Sequence, residues 1–244
     1  MDSNLIWLAV IVLASFSTQA MSGFGSTILA LTLGVHLFTI DELLPVLVAL
    51  DLVVNLYIVT RHRRHIDRSL LYRTIIPAMG AGLVVGLVAF YSVQGAVLEK
   101  IFGYLVMVLS IRELYRIFST TQDQNALSTL KSGAYMAAAG FIHGIYASGG
   151  PLLIYAVGKQ NLPKSVFRAT LASVWLLFSI ILTGFYVFSG KLTAGSLQLI
   201  LILLPVILIG ILAGEWLHHR IDEYRFKIFV FAVLLFAGLS IIIA

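Results

Sequence analysis

The stretch Gln19-Ala20-Met21-Ser22-Gly23-Phe24-Gly25-Ser26-Thr27 interrupts an apolar run near the start of the chain, and Ala147-Ser148-Gly149-Gly150-Pro151 interrupts another beyond the midpoint. Around these breaks lie apolar segments at roughly 5–20, 24–38, 43–60, 71–91, 95–118, 132–147, 150–158, 166–188, 197–217 and 225–244. The segments are too long and continuous for the alternating strands of a membrane barrel, whereas a helix needs about 20 mostly apolar residues per bilayer crossing. The pattern therefore predicts an all-α, polytopic integral membrane protein.

Composition agrees. Of the 244 residues, 60% are hydrophobic and 11% charged, against roughly 25% charged in an average soluble domain. A soluble fold of this size could not hide that much apolar surface. There is no cysteine, which excludes disulfides, thiolate metal sites and cysteine nucleophiles. The net charge of +5 comes from short basic clusters between apolar runs, which fits membrane topology and not nucleic acid. No Lys or Arg precedes the first apolar run and no clear small-residue cleavage site follows it, so it reads as a retained helix.

The two halves match. Pro77, Gly82 and Gly86 recur 128 residues later as Pro205, Gly210 and Gly214, and the two glycine breaks recur at nearly the same interval. Each half reads as two short segments around a glycine break, a broken helical hairpin, followed by three transmembrane helices. Residues 1–118 form the first repeat, 119–130 a linker and 131–244 the second.

Charge sets the expected orientation. An odd number of crossings per half turns the second repeat upside down. Arg61, Arg63, Arg64, Arg68 and Arg73 then share one side with the basic residues of 112–131, 159–168 and 220–227. Only Lys100 and Lys191 fall on the other. The positive-inside rule favours this inverted repeat, with both termini outside.

In inverted-repeat transporters, broken helices meeting near the midplane commonly hold the substrate. Glycine permits the sharp turn, and the helix that follows begins with free N–H groups. Two such N-termini, from Gly25 and from Gly150, would make an anion site. Candidate binding residues are Ser22, Gly23, Phe24, Gly25, Ser26 and Thr27 at the first break, and Ser148, Gly149 and Gly150 at the second. Gln19 and His143, just before the breaks, are candidate donors, and Arg168 either attracts the anion or snorkels to the interface. Asp51 and Asn55 share a helix face; proton coupling and structural hydrogen bonding are both open for them. Gly82-x3-Gly86, Gly140-x3-Gly144 and Gly210-x3-Gly214 read as close helix packing. Trp175, deeper in its segment, either lines the pathway or fills the core.

On Gln19-Ala20-Met21-Ser22-Gly23-Phe24-Gly25-Ser26, Gly140-x3-Gly144-x3-Ser148-Gly149-Gly150-Pro151 and Arg168-Ala169-Thr170, the chain resembles the sulfite exporter TauE/SafE family, also called the toluene sulfonate uptake permease superfamily. The resemblance covers nearly the whole chain. It departs at the first break, which lacks a triple-glycine run, and at Ala147-Ser148, which replaces a small-Gly pair. It implies transport of sulfite, thiosulfate, sulfoacetate or a related organosulfonate across a prokaryotic inner membrane, with a small sulfur-containing anion and the lipid bilayer as partners, and without cofactor or metal.

An exporter working by alternating access, with protons as a candidate coupling ion, is the leading expectation. An uptake permease uses the same site with the opposite gradient, and an anion channel suits a two-sided site less well. An enzyme is disfavoured. Ser148 and His143 are five residues apart, a turn of about 500° on a helix, so their side chains diverge. No His-Glu-x-x-His pattern holds a metal, and Asp51 has no matched second carboxylate. A structural membrane scaffold without transport is the remaining class.

Overall fold

The structure, a computed structural model, describes residues 3–92, 95–119, 127–160, 162–218 and 222–243. Arg220 and most of the 119–130 linker lie outside them. The described residues form ten principal helices and no strand. In the first half these are α1 (Ser3–Ser22), α2 (Ser26–Gly34), α3 (Ile40–His62), α4 (Ile76–Ser92) and α5 (Gly95–Phe118). The second half supplies α6 (Thr129–Tyr146), α7 (Gly150–Gly158), α8 (Lys164–Phe188), α9 (Ala194–His218) and α10 (Glu223–Ile243). A π-turn at Leu71–Ile75 leads into α4. It lies just before Pro77, whose ring and missing N–H disturb the regular helical hydrogen bonds one turn earlier.

Five helices among the described residues, within Ser3–Ser22, Ile40–His65, Arg68–Phe90, Ser165–Phe188 and Ala194–Leu217, are long and apolar enough to cross a bilayer. Their outward faces are apolar as well. Val84, Val85 and Val88 on α4, and Leu201, Leu208 and Leu212 on α9, are each more than half exposed. Ridges of that kind fit lipid and not water. The chain is a multi-pass membrane protein.

The most extensive helix contacts are α4 with α6, α1 with α9, α5 with α10, and α3 with α8. Exchanging the halves, α1–α5 for α6–α10, turns α4–α6 into α9–α1 and leaves the other two pairs unchanged. The central pair is antiparallel. Asp41 ion-pairs with Lys191 at one end, Ser179 Oγ donates to Asp51 Oδ2 at the middle (2.7 Å), and Asp67 N donates to Thr170 Oγ1 at the other end (3.0 Å). In α5 and α10, Gly103 faces Gly238, Ile241 and Ile242, which is antiparallel too. Counterpart helices in both pairs therefore run in opposite directions.

Small residues set the spacing of α4 and α6. A Cβ added at Gly82 would lie 1.9 Å from Ala137 O, and one at Gly140 would lie 1.9 Å from Met79 O. Backbones this close are the reason for glycine at both positions. On the equivalent pair, a Cβ at Gly214 would lie 2.4 Å from Ser17 O. Gly82→Ala or Gly140→Ala should force the helices apart and destabilise the fold by about 1–3 kcal/mol or more. Gly80 and Gly133 have open space at the same point, so Gly80→Ala and Gly133→Ala should gain roughly 0.5–1 kcal/mol. Thermal unfolding in detergent checks this, and equal melting temperatures for all four variants would contradict it.

The short helices answer the question of depth. At nine residues each, α2 and α7 span about 14 Å, half of a bilayer core of about 30 Å. The start of α2 lies beside the middle of α3, with Ser26 at Asp51, and its end packs Gly34 on Leu43. The start of α7 lies beside the middle of α8, with Gly150 near Trp175. From there α7 runs the other way, carrying Tyr155 to Arg112 and Arg116 at the end of α5. Both begin at mid-depth and leave toward opposite faces. The first helix of the chain is not short, however: α1 continues to Ser22, past the 5–20 segment read from the sequence. Ser17, Thr18 and Ser22 turn their hydroxyls onto carbonyls four residues back, so these polar positions stay helical.

Candidate functional site

The breaks are built alike. In the first, Gly23 N donates to Gln19 O (2.7 Å) to end α1, and Leu29 N donates to Gly25 O (3.2 Å) to begin α2. In the second, Ala147 N donates to His143 O (2.8 Å), and Leu153 N donates to Gly149 O (3.3 Å). Each partner in the second set is 124 residues after its counterpart (143 − 19, 147 − 23, 149 − 25, 153 − 29). Gly23 (φ 86) and Ala147 (φ 50) both turn left-handed at the helix end. Gly25 is left-handed as well (φ 97), a conformation glycine adopts without a Cβ clash. The register pairs Gln19 with His143, Ser26 with Gly150, Asp51 with Trp175 and Asn55 with Ser179.

Both breaks open on one cavity of about 960 Å³. Of the candidate residues, Gln19, Ser22, Phe24, Gly25, Ser26, Thr27, Asp51, His143, Ser148, Gly150 and Arg168 line it. Three do not. Gly23 is pressed against Arg168, where an added Cβ would lie 2.9 Å from Cγ. An added Cβ at Gly149 would lie 2.1 Å from Ala139 O, and Asn55 is fully buried behind Asp51. The first N–H groups of α2 and α7 have no acceptor within their own helix, and Pro151 contributes none. From mid-depth the lining continues through Glu113, Arg116, Leu162, Asp222 and Tyr224. Among the described residues it includes none from the Asp41–Lys191 end.

At the first break the polar groups close on one another. Asp51 Oδ1 accepts from Gln19 Nε2 (2.7 Å) and Ser26 Oγ (3.3 Å). Its Oδ2 accepts from Asn55 Nδ2 (2.6 Å) and Ser179 Oγ (2.7 Å). Gln19 also donates to Asn55 Oδ1 (3.0 Å), and Ser26 Oγ contacts Gln19 Oε1. The carboxyl group is thus enclosed by four polar side chains, Gln19, Ser26, Asn55 and Ser179. Ser179, which the sequence reading passed over, is the long-range member of this network; the 124-residue register links it to Asn55.

The second break differs. His143 is stacked on Trp175 (ring centroids 5.4 Å apart, 28° between planes) and tilted against Phe178 (5.9 Å). Both His143 nitrogens and Trp175 Nε1 are buried without a hydrogen-bond partner. Trp175 lines the cavity. Ser148 Oγ donates to Tyr146 O (2.8 Å) and Ser22 Oγ to Thr18 O (2.7 Å), so both hydroxyls are turned onto backbone.

Arg168 bridges three helices. Its guanidinium donates to Ala20 O in the last turn of α1, and pairs with Glu215 on α9 (2.7 Å). A cation there complements the negative end of α1. Arg168 Nε remains without a partner. Glu215 was not singled out from the sequence, where a lone acid near a helix end carries no pairing signal.

A family model described as sulfite exporter TauE/SafE matches residues 7–241. No curated protein and no solved structure matches the chain. A family match over nearly the full length of a multi-pass helical chain carries one conclusion: the protein belongs to the sulfite exporter TauE/SafE family of membrane transporters.

Proposed function

We propose that this protein carries a small sulfur-containing anion, sulfite or an organosulfonate such as sulfoacetate, outward across the cell's inner membrane by alternating access. The observation that carries the proposal is the convergence of two half-depth helix N-termini, α2 and α7, on one cavity. Helix N-termini at membrane depth present N–H groups and positive dipole ends where bulk water is scarce, which suits an anion. The cavity is walled by polar groups and aromatic rings.

The basic residues support one orientation. Arg61, Arg63 and Arg64 lie at the end of α3, Arg112 and Arg116 near the end of α5, and Lys159 just after α7, all toward the face that the cavity lining reaches. On the positive-inside rule that face is cytoplasmic. The chain is then held open inward, with the Asp41–Lys191 end sealed and both termini outside. Two inverted repeats rocking about the bound anion would expose it alternately to each side. Asp51, at mid-depth beside the first break, is the group placed to couple protons to that motion.

Purified protein in proteoliposomes loaded with sulfite or sulfoacetate should give efflux that saturates with concentration. Efflux that rises linearly and matches protein-free vesicles would exclude carriage of these anions.

A further inference from the structure

The two half-sites are equivalent by fold but not by chemistry. At the first, the side-chain donors of Gln19, Asn55 and Ser179 are engaged with Asp51 or its partners. An anion arriving there would meet a carboxylate and few free side-chain donors. At the second, Trp175 stands where Asp51 would be, and His143 stands where Gln19 would be. Neither ring has a hydrogen-bond partner, although His143 is 3% and Trp175 5% exposed. Buried donors are ordinarily paired, and each exception calls for a reason. Both residues line the cavity, beside Gly150 at the N-terminus of α7.

Resting on the transport reading above, we infer that the halves have divided the work: the sulfur oxyanion is held by the second half-site, through Trp175 Nε1–H, a His143 ring N–H and the N–H of Gly150. The side chains of the first half-site serve the carboxylate, and α2 contributes only the positive end of its helix. Neutral donors suit a carrier, because they hold an anion without an ion pair that would hinder release. Of the cations lining the same cavity, Arg168 is balanced by Glu215 and Arg116 by Glu113. Three donors on three separate residues can serve the three oxygens of sulfite or of R–SO₃⁻, one more than a carboxylate offers. The ring of Trp175 borders the cavity and offers an apolar face to a short carbon chain beside the sulfur.

Tryptophan fluorescence reads this site directly. Trp7 and Trp216 are exposed, at 59% and 56%, so a Trp7→Phe, Trp216→Phe chain reports from Trp175. Titration with sulfite or sulfoacetate should give a saturable change in its emission, and acetate should not. Calorimetric affinity should fall about 10- to 100-fold in Trp175→Phe and in His143→Phe, as loss of one donor to a charged acceptor requires. His143→Gln, which restores an N–H, should recover part of the loss. If the chain binds sulfur anions while Trp175 emission stays silent and folded Trp175→Phe and His143→Phe keep full affinity, this division is wrong and the transport reading stands. Absence of binding in the unaltered chain would overturn both.

Discussion

Gly150→Leu should abolish anion binding while leaving the fold standing. Gly150 is the first residue of α7, and a Cβ built there meets only Trp175, at 4.0 Å. That is ordinary contact, so the backbone does not need the glycine for space. The rest of a leucine side chain would extend into the cavity that Gly150 lines, over Trp175. Affinity should fall by more than about 100-fold, roughly 2.8 kcal/mol. The substitution has one backbone consequence: Pro151 follows, and a residue with a Cβ before proline resists the helical region. Gly150→Ala shares that consequence without the bulk and is the natural companion. Both variants should melt within a few degrees of the parent, as a change of about 1 kcal/mol implies. Gly149 would behave oppositely, because its added Cβ strikes Ala139 O at 2.1 Å and the break itself would shift. A well-folded Gly150→Leu protein with unchanged affinity would remove the helix-end site from the account.

Asp51→Asn should flatten the pH dependence of transport. In the present network every neighbour donates to Asp51. An asparagine turns one acceptor oxygen into an NH₂ group, which then faces donors from either Asn55 and Ser179 or Gln19 and Ser26. Ser179 can rotate its hydroxyl, but a buried amide left unmatched costs about 1–3 kcal/mol. The variant should therefore melt several degrees lower while still binding anion at the second break. The decisive reading is flux of an alkylsulfonate, whose own charge is constant across the neutral range, measured as a pH series in proteoliposomes. If the coupled proton resides on Asp51, the variant's rate is flat where the parent's bends. Retention of the parent profile would return Asp51 to a structural role.

The helices were legible in the sequence because their boundaries are chemical. Continuous apolar runs break at Gly23-Phe24-Gly25, at Arg61–Arg64 and at Gly149-Gly150-Pro151, where conformation or charge forbids continuation. The glycine pairs at 82/86 and 140/144 were legible as packing, since a GxxxG spacing puts both on one helix face. The internal register was only half legible. Pro77 and Pro205 suggest 128 residues, which holds for α4 and α9. The breaks and central helices instead follow 124, because four more residues separate the centre of α8 from the Pro205 turn than separate α3 from Pro77. On the single larger interval, Gln19 does not meet His143 and Asp51 does not meet Trp175, so the contrast between the half-sites stays hidden. Side-chain partners were not legible at all. Ser179 with Asp51 and Glu215 with Arg168 pair across 128 and 47 residues, and nothing in a one-dimensional pattern marks such pairs. Arg168 illustrates the consequence: its position near a helix start suggested snorkelling or anion capture, and its contacts with α1 and α9 could not be read from that position.

The most direct test of the central claim is calorimetric titration of the detergent-purified protein with sulfite, thiosulfate, sulfoacetate, taurine and acetate. Two helix ends facing one cavity predict saturable binding of one or more of the sulfur anions, with acetate much weaker, and loss of that binding in Gly150→Leu. Equal weak heats for all five, in protein that is folded and monodisperse, would contradict a sulfur-oxyanion site at the breaks.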